Sequence, residues 1–225
     1  MDYGKAYWIQ KRLHQRRVAG LTRDVLILVE HAPVLTMGRD AGREHILVGD
    51  DVLQRHGILI YQVERGGDVT YHGPGQLVGY PVLDLTRWGR DLHGYVRRLE
   101  EVIIRTLACY GVTAGRREGY PGVWVGDKKV AALGVAVKRW VTMHGFAFNI
   151  NSHLEHFQFI VPCGISEYGV TSLAEVLGQE QDFREVSRVL KKQFAGVFGI
   201  ELVPVALDGL LFGDKGLPKT GGPSP

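Results

Sequence analysis

Two side chains among the 225 residues are thiols, Cys109 and Cys163, and their neighbours set them apart. Cys163 lies in the phrase VPCGIS, Val161 to Ser166, after the strand-like run FQFIV and before Gly164. A glycine there leaves the backbone amides after the thiol unencumbered, as an oxyanion site beside a nucleophile requires; the competing reading is a buried turn cysteine. Cys109 sits beside Ala108 and close to Leu107 near the apolar face of a helical pattern and reads as core, where free cysteine behaves as a small hydrophobe. An ordinary thiol titrates at about 8.5, so a nucleophilic one needs a cation or base nearby. His72, His144, His153 and His156 are candidates for that group, and lysine is another, because its ammonium stabilises a thiolate and its neutral amine accepts a proton. Lys129 opens the apolar run VAALGVAV, and Lys128 beside it is expected on the opposite face of the strand. Residue types alone leave the choice open between these partners and a solvated strand end.

A second stretch places backbone rather than side chains. RGGDVTYHGPGQLVGYP, Arg65 to Pro81, is rich in glycine and proline although its flanks read as strands. Glycine lets a ligand approach the main chain and proline fixes φ, so the stretch reads as a shaped pocket wall. With Cys163 and the lysine of GDKKVAALGV it points to cysteine-dependent acyl transfer.

These segments must be carried on a framework. Apolar spacing predicts a helix from Tyr3 to about Arg17, one over Asp91 to Tyr110 stopped by Gly111, and two more over Thr171 to Leu177 and Phe183 to Phe198. Strands are expected at Asp24 to His31, Val34 to Gly38, Ile58 to Glu64, Asp68 to His72, Gln76 to Leu83, Gly122 to Val125, Lys129 to Val137, Thr142 to Asn149 and Phe157 to Val161. Helices and strands do not alternate strictly, which favours an α+β fold with a mixed or antiparallel sheet packed with helices. Residues 1–211 are read as one catalytic domain and residues 212–225, rich in Gly and Pro, as a flexible tail.

Composition narrows the classes. At 45% hydrophobic the chain suits a soluble globular domain. No apolar stretch approaches the roughly 20 residues of a membrane helix, and the N-terminus lacks the apolar centre of a signal peptide, so the expectation is a cytoplasmic protein with no membrane partner. Two cysteines do not make a disulfide framework and neither lies in a CxxC, which argues against zinc. A formal charge of +3 is mildly basic, without a nucleic-acid-binding signature, so no nucleic acid partner is expected. The clusters Lys11 to Arg17, Arg97 with Arg98, Lys138 with Arg139, and Lys191 with Lys192 suit an acidic partner or simply water.

RGGDVTYHGPGQLVGYPVLDL, KKVAALGVAVKRWVTMHGFAFNIN, and PCGI followed by GVTSL together resemble, in content and order, the blocks of the lipoyl/octanoyl transferase family, from about His31 to Phe198. The resemblance implies an α+β fold of the biotin/lipoate protein ligase catalytic-domain type. It implies an octanoyltransferase in which Cys163 forms an acyl-thioester and Lys129 lowers its pKa and moves protons. Substrate contacts carry over to Arg65, Gly66, Gly67, Asp68, Val69, Thr70, Tyr71 and His72, to Ala132, Leu133 and Gly134, and to Gly145, Phe146 and Ala147. Position 68 is read as variable, with no role for its charge. The implied donor is acyl carrier protein, whose octanoyl-phosphopantetheine enters as substrate. The implied acceptors are lipoyl domains of 2-oxoacid dehydrogenase complexes and the glycine cleavage H protein, and no cofactor, ATP or metal is called for. Apolar strand residues facing Gly73 to Gly75 are expected to line the acyl tunnel. An ATP-dependent lipoate or biotin ligase, or a non-catalytic binding module, is the rival reading.

Overall fold

The computed structural model describes residues 1–161 and 168–212. Helix α1, Tyr3–Val18, leads to strands β1, Val25–Val29, and β2, Val34–Met37; α2, Asp50–Arg55, precedes β3, Leu59–Gln62, β4, Val69–His72, and β5, Gln76–Val82. Helix α3, Leu92–Ala108, is followed by β6, Gly115–Arg117, β7, Tyr120–Val125, β8, Lys128–Lys138, and β9, Val141–Asn149. Helices α4, Leu173–Leu177, α5, Phe183–Phe198, and α6, Leu207–Phe212, complete the described chain.

The strands divide into two sheets. Six form an antiparallel sheet in the order β1-β5-β9-β8-β7-β6, and three form a mixed sheet in the order β3-β2-β4. Period-two alternation makes the larger sheet two-faced. Leu77, Ala131, Phe146 and Phe148 point to α3 and α5, where they meet Leu99, Ile103, Leu190 and Phe194. Val78, Tyr80 and Ala147 point the other way, toward Ala6 of α1. The long helices begin where a carboxylate satisfies orphan amides: Asp2 Oδ1 accepts from Lys5 N at 2.8 Å, Asp91 Oδ1 from Gly94 N at 2.9 Å and Asp182 Oδ1 from Arg184 N at 2.8 Å. Helix α5 stops at Gly199, whose φ of 64° is the left-handed conformation glycine adopts without penalty.

Two expectations fail. Phe157 to Val161 is not a strand: Leu154–Phe159 is a 3-10 helix, and only Ile160 bridges to Ile46. Leu154, Phe157 and Ile160 all reach the cluster beneath the small sheet, and this spacing of three is the one a 3-10 helix aligns. Cys109 is exposed, not core. It lies two residues beyond Leu107, a rotation of about 200° that turns the thiol off the buried face of α3; its Sγ accepts from Gln193 Nε2 at 3.4 Å. Helices α2 and α6 and strand β6 were not anticipated.

Candidate active site

A narrow cavity, partly open to solvent, lies between the larger sheet and the Arg65–Asp68 loop. Its floor is made of the smallest side chains of the two central strands, Ala132 and Gly134 of β8 paired with Ala147 and Gly145 of β9. Arg65 and Gly67 of the loop, Thr70 and His72 of β4, and Tyr3 of α1 form the opposite wall. The loop is held on the edge of β8 that β7, whose pairing ends at Ala131, leaves open. Gly66 N donates to Val135 O at 3.0 Å, Arg39 N to Arg65 O at 3.0 Å and Gly67 N to Asp40 Oδ2 at 3.0 Å. Position 134 has to be glycine because a Cβ there would stand 2.8 Å from Cδ of Arg65 and 3.2 Å from Gly66 O.

A chain of buried hydrogen bonds runs from this wall across the sheet. Arg65 Nη2 donates to Thr36 O at 2.6 Å and to Thr36 Oγ1 at 3.0 Å. Thr36 Oγ1 is 3.3 Å from His72 Nε2, and His72 Nδ1 is 2.8 Å from Gln76 Oε1. Gln76 Nε2 donates to Asn149 Oδ1 at 2.9 Å, and Asn149 Nδ2 donates to Thr171 O at 3.0 Å. Because the Gln76 amide is oriented by Asn149, its oxygen faces His72, which assigns the imidazole proton to Nδ1 and makes Nε2 an acceptor. Burial pushes His72 down to about 3, so the ring is neutral at physiological pH. His31 is likewise pushed down to about 4 by burial, with Tyr80 OH 2.7 Å from its Nε2. These rings act as fixed neutral dipoles, not as proton carriers near neutrality.

Lys129 stands next to the cavity, outside its wall, three positions along β8 from Ala132. The side chain is 9% exposed, with Nζ 4.9 Å from the centre of the Trp124 ring. A Cβ at Gly122 would lie 3.2 Å from Lys129 Cδ and Cε, so glycine makes room for the lysine stem. Both backbone groups of Lys129 are clamped to the chain that follows Cys163: Lys129 N donates to Gly169 O at 2.9 Å and Thr171 N donates to Lys129 O at 3.0 Å. Lys128 faces the other way, as strand alternation requires, and pairs with Glu175 Oε1 at 3.1 Å. Cys163 and Gly164 lie outside the described residues.

Ten of the expected contact residues are gathered on the cavity wall: Arg65, Gly67, Thr70, His72, Ala132, Leu133, Gly134, Gly145, Phe146 and Ala147. Four are not. Gly66 carries the loop by its hydrogen bond to β8. Val69 and Tyr71 alternate to the opposite face of β4 and pack beneath the small sheet. Asp68 is buried, and its charge has a partner that sequence reasoning did not give it: Oδ2 lies 2.5 Å from Nδ1 of His45. That hydrogen bond raises the pKa of His45. Apolar strand residues do line the wall, Val78, Ala132, Leu133, Phe146 and Ala147 among them, alongside the polar side chains of Arg65, Thr70, His72 and His144. Of the four histidine candidates, His72 and His144 line the cavity, His153 is exposed, and His156 Nδ1 pairs with Tyr71 OH at 2.9 Å.

His144 is conformationally exceptional. Its φ of 57° is left-handed, in the middle of a long hairpin, a state that costs a non-glycine residue on the order of 1–3 kcal/mol. Its amide donates to Gln10 Oε1 of α1 at 3.0 Å, and its Nε2 lies 3.6 Å from Glu64 Oε2, which also accepts from Tyr7 OH at 2.5 Å. The His144 imidazole, with help from Tyr7, holds Glu64 at about 2 against the cost of its partial burial. Tyr3, Tyr7 and Gln10 were missed as site residues, because nothing in the amphipathic pattern of α1 marks which of its buried positions faces a cavity.

Among the described residues no group of three or more His, Cys, Asp or Glu side chains is placed to hold a metal ion, and no helix is long and apolar enough to cross a membrane.

A floor of alanine and glycine and a glycine-rich loop bridged to it enclose a narrow cavity with a buried lysine at its margin. Residues 2–195 match the model of the lipoyl protein ligase A/B catalytic domain, and the chain belongs to that family. It is an acyltransferase with the α+β fold of the biotin/lipoate ligase catalytic domain. It is 50% identical to a protein named octanoyltransferase from Solibacter usitatus over 206 residues, 92% of this chain and 93% of that one. It is equally 50% identical over 201 residues to an octanoyltransferase from Caldicellulosiruptor saccharolyticus, 88% and 86% of the two chains. Among solved structures, lipoate-protein ligase A bound with ATP superposes with a TM-score of 0.69 at 18% identity over 90% of this chain and 87% of the other. The bi-partite lipoate protein ligase of Thermoplasma acidophilum does so with 0.68 at 16% identity, over 90% and 85%. At such identity the likeness is one of fold.

Proposed function

We propose that the chain is an octanoyltransferase that carries the octanoyl group of acyl carrier protein to a lysine of lipoyl domains through a thioester on Cys163. The observation that carries this reading is the position of Lys129, buried at the margin of the cavity and clamped through both backbone groups to the segment following Cys163. Relatives of half-identical sequence bear the name octanoyltransferase, which supports the same substrate.

In the proposed reaction the Lys129 ammonium stabilises the Cys163 thiolate, which attacks the carbonyl of the octanoyl thioester. Negative charge develops on the carbonyl oxygen, where backbone amides near Leu133, Gly134 and Gly164 accept it, each such donor being worth roughly 3 kcal/mol. The bond to phosphopantetheine sulfur breaks, and that thiol leaves with the proton of the Lys129 ammonium, so Lys129 is a neutral amine in the acyl-enzyme. The neutral amine of the acceptor lysine then attacks the acyl-enzyme, Lys129 takes up its proton, and an amide replaces the thioester as Cys163 is released. Thioester to thioester to amide runs downhill, so the proposal needs neither ATP nor a metal.

Acceptors of this kind are the lipoyl domains of 2-oxoacid dehydrogenase complexes and the glycine cleavage H protein, with the reaction placed in the cytoplasm. For the acidic donor, helix α1 supplies a docking charge. His14 Nε2 lies 3.2 Å from Val141 O, which sets the Lys11–Arg12 stretch of α1 beside the Lys138–Arg139 turn.

The test is to incubate the purified protein with octanoyl-acyl carrier protein without ATP and to weigh the intact protein before and after hydroxylamine. A hydroxylamine-labile octanoyl adduct, absent from Cys163→Ala, is expected. A folded protein that forms no adduct, yet modifies a lipoyl domain when given octanoate and ATP, would instead be a ligase like its structural neighbours.

A further inference from the structure

Backbone hydrogen bonds tie the chain down before and after Cys163. After it, Gly169 and Thr171 are bonded to Lys129. Before it, Val161 N donates to His45 O at 2.8 Å, Leu47 N donates to Phe159 O at 2.8 Å, and Ile46 bridges to Ile160. The stretch that makes these last contacts, residues 38–47, supports the cavity loop at its other end. Gly38 N donates to Asp68 O at 3.2 Å, Arg39 N to Arg65 O at 3.0 Å and Asp40 N to Gly67 O at 3.3 Å. It is a bracket between the loop over the cavity and the chain that enters Cys163.

His45 belongs to both ends of the bracket. Its carbonyl accepts from Val161, and its Nδ1 lies 2.5 Å from Oδ2 of Asp68, the last residue of the loop. The other oxygen of Asp68 accepts from Val69 N at 2.6 Å, which orients the carboxylate. Asp68 raises the pKa of His45, and Glu44 acts in the same direction, so the carboxylate favours an imidazolium partner. Ile46 and Ile160 pack together beneath the small sheet, but apolar burial is non-directional. A charge-assisted contact is directional and short. With the carboxylate 9% exposed, solvent screens it less than it screens a surface pair. The packing keeps the two stretches adjacent, and the His45–Asp68 contact sets where Val161 lies relative to the loop.

We propose that His45, held by Asp68, is a positioning residue for acyl transfer: its side chain is fixed to the loop over the cavity while its backbone holds the chain entering Cys163, so that thiol and acyl carbonyl meet in alignment. The inference rests on the reading of Cys163 as the nucleophile. Neither His45 nor Asp68 lies on the cavity wall, so loss of the pair should leave donor affinity nearly unchanged. The chemical step is more sensitive, because a misplacement of about 1 Å costs on the order of 100-fold in rate.

One readout of the test is catalytic and the other is not. Acyl-enzyme formation from octanoyl-acyl carrier protein is timed by intact mass at several donor concentrations for the whole protein and its His45→Leu, His45→Asn, Asp68→Ala and double His45→Leu, Asp68→Ala variants. Amide hydrogen exchange of peptides carrying Val161 is followed in the same proteins, with thermal melts to verify folding. His45→Leu is expected to lower the maximal rate about 10- to 100-fold with the KM for the donor little changed. His45→Asn, whose amide nitrogen can stand where Nδ1 stands, should recover most of that loss. Asp68→Ala should slow the reaction as His45→Leu does, and the double variant should be no slower than the slower single. Asp68→Ala should also speed exchange at Val161, which Asp68 reaches only through His45. A folded His45→Leu protein with the wild-type rate, a loss confined to KM, equal losses in His45→Leu and His45→Asn, or exchange at Val161 unmoved by Asp68→Ala would each overturn the positioning role. No adduct on the wild-type protein, with exchange at Val161 quickened by Asp68→Ala, would reject the transfer reading and leave the link between loop and Val161 in place. An adduct formed at the wild-type rate by every variant would reject the positioning role alone.

Discussion

The side chain of Arg65 crosses the α-carbon of Gly134 so closely that a single added methyl there would stand 2.8 Å from its Cδ. The contact joins the loop from one sheet to the floor strand of the other. Arg65 also donates to Thr36 O and Oγ1, which ties the loop to β2. The cavity is thus bounded by a guanidinium fixed in place by hydrogen bonds, over a strand that can carry no side chain beneath it.

Gly134→Ala is accordingly expected to displace Arg65 and narrow the cavity. Overpacking of this kind costs typically 1–3 kcal/mol, and the KM for the acyl donor should rise by more than stability falls. A thermal melt beside a transfer assay checks it. Unchanged KM in the variant would mean that Arg65 does not shape the donor site.

Lys129→Met keeps an unbranched stem against Trp124 and Gly122 while deleting the amine. Loss of a positioned acid–base group costs about 100- to 10,000-fold in rate, so transfer should fall by that order with the melting temperature little changed. Acyl-enzyme formation should also shift to higher pH, toward an unassisted thiol. A variant with the wild-type pH profile would remove Lys129 from the chemistry.

How much of this was legible beforehand depended on whether a residue's role is local. The opposite facing of Lys128 and Lys129 follows from strand alternation, and α3 and α5 announce themselves by apolar spacing, an aspartate at one end and a glycine at or near the other. The Arg65 to His72 and Ala132 to Ala147 stretches were marked by glycine content and family resemblance. Division into two sheets was not legible, because alternation gives faces and not partners. Tyr3, Tyr7 and Gln10 reach the site only by the packing of α1 against β5 and β9, and the amide of the left-handed His144 is bonded to Gln10, 134 positions distant in sequence. The charge of Asp68, read as without a role, finds a partner in His45, which precedes it by an entire strand and helix.

Acid should destabilise the protein well before its carboxylates are neutralised. His72 and His31 have ordinary values of 6.5 and are pushed by burial to about 3 and about 4. The unfolded chain therefore binds their protons first, so their contribution is fully present above pH 6.5 and is lost as pH falls toward 4 and 3. At pH 5 the loss is about 2 kcal/mol for each. Glu64, lowered from 4.5 to about 2, adds its own loss below 4.5. Urea melts between pH 7 and 5 should show this slope, and His72→Gln should flatten it by about half. An unaltered slope in that variant would mean His72 is protonated in the native state.

Cys109→Ser tests the opposite extreme, a thiol on the surface whose only described partner is Gln193. Surface substitutions stay within about 0.5 kcal/mol, and the octanoyl adduct should form as in the wild-type protein. A folded Cys109→Ser protein without adduct would make Cys109, at the C-terminal cap of α3, the nucleophile.

Gln76 is the middle of the buried chain that links Arg65 to Thr171, and the backbone amide of Thr171 in turn donates to Lys129. Replacing it by leucine preserves the packing volume but leaves the Nδ1 proton of His72 without its acceptor and removes a donor from Asn149 and from Tyr71 O. A buried polar group so abandoned costs about 1–3 kcal/mol, and Gln76→Leu should lose about that much or slightly more. Asn149→Leu should cost a similar amount by freeing Thr171. Because the two side chains share one network, the double variant should fall short of the sum of the singles by about 0.5–3 kcal/mol. Chemical denaturation of the four proteins in such a cycle measures the coupling. Strict additivity would mean that the cavity wall and the Lys129 clamp are held independently, and that the hydrogen bonds between them carry no positional information across the sheet.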